Sequence, residues 1–166
     1  MKQWYLLYCK RSEQQRAKMH LENQGVECYY PEIQIEKMVR GKRQVKKEPL
    51  FPSYIFARFD VEQGGPTFTT IRSTRGVVDF VRRGALPQIL QGDLIVTLKD
   101  LETEQEGLMQ SGLPEKGDTV NVATGQFAGM EAIYQEPDGE RRSILLVNML
   151  SKQVEVTVDN KDLDLQ

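Results

Sequence analysis

GDTVNVATGQFAGMEAIYQEPDGERRSILLVNMLSKQVEVTV, residues 117–158, satisfies two periodicities at once. Read with period two it is a run of short strands: Val120 and Val122 alternate with Thr119 and Asn121, and Val154, Val156 and Val158 alternate with Glu155 and Thr157. Read with period 3.6, Val120, Ala123, Phe127, Met130 and Tyr134 form one apolar stripe of a helix, and Ile144, Val147, Leu150, Val154 and Val158 form a second. EPDGE, residues 136–140, is a turn in either reading. Which period is used depends on what the rest of the chain offers these apolar side chains.

The 166 residues suggest one domain or two small ones, and 39% hydrophobic with 28% charged residues is an ordinary globular composition. WYLLYC, among the longest apolar runs, is far too short to cross a bilayer, and the N-terminus leads directly into an apparent strand. A cytoplasmic protein without membrane contact is therefore expected. Cys9 and Cys28 are the only cysteines, and free buried thiols are expected, since no second Cys/His pair is available for tetrahedral metal coordination. Charge is unevenly spread. Residues 1–100 carry 17 Lys/Arg against 11 Asp/Glu, and residues 101–166 carry 5 against 13. A basic head on an acidic tail suggests an anionic partner for the head, with the tail able to dock on it or compete for it; two unrelated solvated surfaces would look the same.

Outward from the opening stretch, the pattern is that of an α+β domain with an antiparallel sheet and flanking helices. Trp4 to Lys10 reads as a buried first strand. Ser12 and Gln15 fit a capping box, and the helix they start runs to about Gln24, with Gly25 as its stop. Val26 to Tyr30 is a short strand ended by Pro31. Ile33 to Val39 and Lys42 to Lys47 form a basic hairpin about Arg40-Gly41. Tyr54, Phe56 and Ala57 lead an apolar strand, Thr67 to Thr74 suits a short helix, and Val77 to Arg82 suits a strand. Leu94, Ile95, Leu98 and Leu101 mark a second amphipathic helix. Residues 103–116 are polar, with two glycines and a proline, and read as a linker. The expected units are a domain over 1–102, the linker 103–116 and a small domain over 117–166.

No constellation supports catalysis. The one histidine, His20, sits on a helix among basic residues, no nucleophile with a partner base can be placed, and GGPTFTT lacks the spacing and lysine of a phosphate loop. No catalytic residue, metal or cofactor is expected. Two sets stand out. Lys10, Arg11, Arg16 and His20 gather at the first helix, and Thr74-Arg75 precede a strand of the same sheet; together they suit phosphates and base edges, or they are a solvated helix face. Tyr8, Leu50, Phe51, Tyr54, Phe56, Ile95 and Leu98 are either core or an exposed patch for a partner, which the amphipathic tail could cover.

WYLLYCKR, EPLFPSYIF, STRGVVDFV and GDTVNVATGQFAGMEAIYQE, in this order and spacing, resemble the NusG family of transcription elongation factors, the last of them its KOW motif. LLYCKR, EKMVRGKR and QEPDGE are closest in wording to a specialised, operon-specific branch of that family. The resemblance implies an N-terminal domain that binds RNA polymerase and the non-template single-stranded DNA of a paused complex. It also implies a KOW-type C-terminal domain that is an α-helical hairpin docked on the N-terminal domain in the free protein and a five-stranded β-barrel once released, then contacting a small-subunit ribosomal protein. The protein is expected to be a monomer. By position in the motifs, Lys10, Arg11, Arg16, His20, Thr74 and Arg75 would contact DNA. Tyr8, Leu50, Phe51, Tyr54 and Phe56 would meet the polymerase clamp helices. Glu48 and Arg142 would form an interdomain salt bridge, with Tyr134, Leu150, Ile95 and Leu98 as apolar interface residues. Where similar proteins place His-Thr-Thr against the polymerase gate loop, this chain has Thr67-Phe68-Thr69. A general factor with a permanent barrel and a KOW-containing RNA- or ribosome-binding protein are the other readings.

Overall fold

WYLLYC lacks polar alternation because both faces of its strand are covered. In a computed structural model, which describes residues 1–62, 64–111 and 129–164 (side chains through 105 and from 129 to 151), β1 (Gln3–Cys9) lies inside an antiparallel sheet. Its neighbours are β5 (Tyr54–Phe59) on one side, and β6 (Val77–Phe80) with the short β9 (Ile89–Leu90) on the other. β2 (Glu27–Tyr29) borders β5. Trp4 and Leu6 point to one face with Phe56, while Tyr5, Leu7 and Cys9 point to the other with Ile55 and Ala57. A strand buried on both faces reads as a continuous apolar run.

One face is covered by α1 (Gln14–Asn23), through Ala17 and Leu21, and by α2 (Phe68–Arg72), through Ile71. The expected capping box does not form. The helix is entered from Glu13 without a side-chain cap, and Ser12 holds a positive φ of 65° instead of offering its hydroxyl. The other face is covered by α3 (Gly92–Ser111), through Leu94, Ile95, Leu98 and Leu101, and by α4 (Met130–Gln135) and α5 (Gly139–Asp164). An irregular segment from residue 103 is corrected: α3 continues through 103–111, held by Gln105, whose amide pairs with both backbone groups of Gln34 (3.0 and 3.2 Å) as a neighbouring strand would. Residues 112–116 lie outside the described residues.

Between β2 and β5, β3 (Glu32–Val39) and β4 (Lys42–Pro49) form a separate ribbon closed by Arg40 (φ 52°) and Gly41 (φ 78°), the doubly positive turn that matches strand twist. The strand expected through Arg82 stops at Phe80, and a second small ribbon follows, β7 (Arg82–Arg83) with β8 (Leu86–Pro87).

The described part of the opening stretch is two helices, α4 and α5, separated by a turn at residues 136–138. Met130, Ile133 and Tyr134 are buried along α4. On α5 the expected stripe is rotated: Ile144 is 54% exposed and Val147 half-buried, while Arg142, Leu146 and Leu150 face the core. Val120, Ala123 and Phe127, and the side chains of Val154 and Val158, lie outside the described residues.

Candidate functional site

The basic set is assembled by one close approach. Gly76 has φ 92°, and a Cβ there would meet Glu13 O and the Ala17 Cβ at 3.1 Å. Its carbonyl accepts from the Lys10 N–H at 2.9 Å. Glycine at this point therefore lets the loop after α2 lie against the start of α1, bringing Thr74-Arg75 to Lys10, Arg11 and Arg16. Lys10, Arg11 and Arg75 are exposed; Arg16 reaches Glu13 at 3.3 Å on the surface. His20 is half-buried in the last turn of α1, and its carbonyl accepts from Gln24 Nε2 at 3.2 Å. Thr74 differs from the expectation of a contact residue. Only 7% exposed, its hydroxyl accepts from Gln24 Nε2 (2.9 Å) and donates to Thr70 O (3.1 Å), so it ties the loop to α1 and has little surface to offer.

The aromatic set divides. Tyr8 is 43% exposed and Tyr54 half-buried, with ring centroids 5.4 Å apart. Burial pushes the Tyr54 phenol pKa up, and the neighbouring Tyr8 adds to it. Leu50, Phe51 and Phe56 are fully buried with Ile95, Leu98, Met130, Ile133, Tyr134, Leu146 and Leu150, so α4 and α5 cover them. Each apolar side chain buried there contributes on the order of 1.5–3 kcal/mol.

Arg142 is the polar centre of that contact. Its guanidinium, 0% exposed, donates from Nη2 to Glu48 Oε1 at 3.0 Å and to Pro49 O at 3.2 Å, from Nε to Leu50 O at 2.8 Å, and from Nη1 to Glu136 O at 2.7 Å. Glu48 is also approached by Lys37 at 3.4 Å. A buried cation is tolerated when it is paired with a counter-charge and well hydrogen-bonded. Sequence reasoning missed the bonds beside it. Ser143 Oγ donates to Pro52 O at 3.0 Å, Gln88 Nε2 to Leu150 O at 3.4 Å, and Tyr134 Oη to Gln105 Oε1 at 3.0 Å. Polar residues of these types carry no sequence signal of burial. Leu146 and Leu150 do stand at i, i+4 with Arg142, but an arginine argues against a buried face.

The Thr67-Phe68-Thr69 triplet is partly turned inward. Thr67 Oγ1 caps α2 by accepting from the Thr70 N–H at 3.1 Å. The Phe68 ring packs edge-on to Tyr5 (5.5 Å) and Phe80 (5.3 Å). Thr69 is exposed. Among the described residues, no group of three or more His, Cys, Asp and Glu could hold a metal ion.

Residues 2–99 match the family model described as "Transcription termination factor nusG". The chain is 26% identical over 174 residues to the transcription termination/antitermination protein NusG of Thermus thermophilus, covering 95% of each chain. It is 20% identical over 166 residues to the protein of the same name from Chlamydia trachomatis, covering 94% of this chain and 90% of that one. A solved structure titled "Domain interaction in Thermotoga maritima NusG" superposes with a TM-score of 0.43 at 20% identity, over 75% of this chain and 67% of that one. The family match spans more than half of the residues, including the two-faced sheet, the ribbon and the loop that gathers the basic set, and the chain belongs to the NusG family of transcription termination and antitermination factors.

Proposed function

We propose that this chain is an operon-specific elongation and antitermination factor of the RfaH type. The domain over 1–102 binds RNA polymerase, with Tyr8, Leu50, Phe51, Tyr54 and Phe56 on the clamp helices and Thr69, beside Thr67 and Phe68, at the gate loop. The basic set at α1 holds non-template DNA, Arg and Lys on phosphates and an Arg on a base edge. The observation that carries this reading is that Leu50, Phe51 and Phe56 are covered by α4 and α5, helices that lie within a stretch whose sequence also reads with period two, and that Arg142 pins them there. Polymerase and the docked helices would then compete for one face. Once the face is taken, α4, only 6 residues long, loses its support, and a helix so short is marginal in water. The freed residues 117–166 form the barrel, which meets a small-subunit ribosomal protein. Polymerase shifts the equilibrium only by its preference for the uncovered form.

A general factor with a permanent barrel is the second reading, favoured by NusG-named relatives matched over 90–95% of their length. Binding to polymerase paused on a panel of non-template sequences separates the two. Strong preference for one sequence, with loss of circular-dichroism helix signal on binding, supports the specialised factor. Equal binding to all, with a strand-rich free tail, supports the general one.

A further inference from the structure

A groove of about 770 Å³ runs between the start of α1, the turn into β5 and the start of α5. Gln14 lines it and is only 4% exposed, yet its side-chain amide makes no hydrogen bond to the described residues. Among those residues, Glu104 Oε2 is the only fully shielded side-chain nitrogen or oxygen without a partner, so water still reaches the Gln14 amide, and the groove is the space that Gln14 lines. A nearly buried amide with no partner in the chain destabilises the fold and requires an explanation. Two further unfavourable features meet it there. Ser12 (φ 65°) and Ser53 (φ 73°), two of the three non-glycine residues at positive φ among the described residues, line the same groove. Such backbone strain gathers at binding sites, where the surrounding structure imposes it. Tyr8 and Tyr54, the members of the aromatic set that α4 and α5 do not fully cover, line the groove as well.

We propose that this groove is the open edge of the polymerase-binding face, and that Gln14 donates there to a carboxylate side chain of the polymerase helices, seated beside Tyr8 and Tyr54. The proposal rests on the reading of the aromatic set as a polymerase site and adds to it a polar anchor. An amide without a partner in the free chain is satisfied by the group it binds, and the stability lost in the free fold is the usual cost of a functional position. Charge selects the kind of group. Arg11, on the rim, has Glu140 of α5 at 3.9 Å. Release of the tail removes that carboxylate and leaves the groove with a cation and an unpaired donor, which an acidic side chain complements.

The test compares the full chain with Gln14→Met, which removes the amide and keeps the length of the side chain. Urea titration should give a higher midpoint, because an unpartnered polar group is lost from the fold. Affinity for a paused RNA polymerase elongation complex should fall about fivefold or more, the loss of one hydrogen bond. A merely structural role for Gln14 would move the two in the same direction. The helix signal in circular dichroism should not change, which separates a lost contact from an effect on docking. A midpoint that does not rise, a loss of affinity under about fivefold, or a changed helix signal overturns the proposal. A loss confined to single-stranded DNA gives the groove to the DNA and overturns it too. Tyr54→Ala distinguishes the two failures. If Tyr54→Ala weakens polymerase binding and Gln14→Met does not, only the groove contact fails; if Tyr54→Ala has no effect either, the polymerase face fails and the groove with it.

Discussion

The Arg142 guanidinium, wholly buried on α5, is joined at 3.0 Å to Glu48, 94 residues earlier on β4. Glu48 supplies the only carboxylate among its four acceptors; the others are the carbonyls of Pro49, Leu50 and Glu136. Glu48→Ser leaves a buried cation without its counter-charge. Docking should weaken by about 3 kcal/mol, roughly a hundredfold in the docking equilibrium. The expected result is a loss of helix signal in circular dichroism of the full chain, with stability of the sheet domain little changed.

Gly139 opens α5 against Pro52. A Cβ there would lie 2.8 Å from Pro52 Cγ and 3.3 Å from Arg142 Nη2, and a proline ring cannot swing away. Gly139→Ala should therefore undock α5, although alanine favours helix over glycine by about 1 kcal/mol. Adding Pro52→Ala should restore docking. A double-mutant cycle on the helix signal measures the coupling.

Leu146 is fully buried and Ile144 is more than half exposed, the reverse of the apolar stripe in the sequence. Leu146→Ala should lower docking stability by about 2–5 kcal/mol, and Ile144→Ala by less than about 0.5 kcal/mol. Urea titration of both variants checks the rotation of α5; equal effects would refute it.

Ser53 holds φ 73° between Pro52 and Tyr54, and its carbonyl accepts from the Cys9 N–H at 2.7 Å. A left-handed residue with a side chain is strained by about 1–2 kcal/mol, while glycine loses roughly 0.5–1 kcal/mol more on ordering. Ser53→Gly should stabilise the protein by about 0.5–1 kcal/mol, read as a higher urea midpoint at unchanged slope.

Cys9 and Cys28 are both pushed up from 9.0 to about 12, chiefly by burial. The thiolate is the nucleophile, so neither should react with dithionitrobenzoate at pH 8 until the chain unfolds. Folding favours the protonated thiols. Their contribution to stability is thus complete below pH 9 and is lost as pH rises towards 12, which alkaline unfolding curves of Cys→Ala variants would show.

Much of the N-terminal unit was legible from residues alone. The unbroken WYLLYC, the Arg40-Gly41 turn and the Leu94–Leu101 spacing carry their structures locally, because strand burial, positive φ and helical period each leave a short-range mark. What failed was non-local. Ser12 looked like a cap but adopts a left-handed turn. Residues 103–111 looked like linker but are helical, with Gln105 held by the backbone of Gln34. In each case the deciding partner is more than ten residues away or is a backbone shape that composition does not encode.

The tail divides the two kinds of information most sharply. By itself the sequence determined that residues 117–158 could be strand or helix, since valines at alternate positions and apolar residues at three- and four-residue spacing are both present. It also marked Tyr8, Leu50, Phe51, Tyr54, Phe56, Ile95 and Leu98 as either core or a patch that the tail could cover. Only the tertiary structure decided that the described part of this stretch forms two helices, and on which face they pack. The reason is Arg142: a charge belongs on an outer face by every local rule, and it is inside because Glu48 and three carbonyls of the folded chain converge on it.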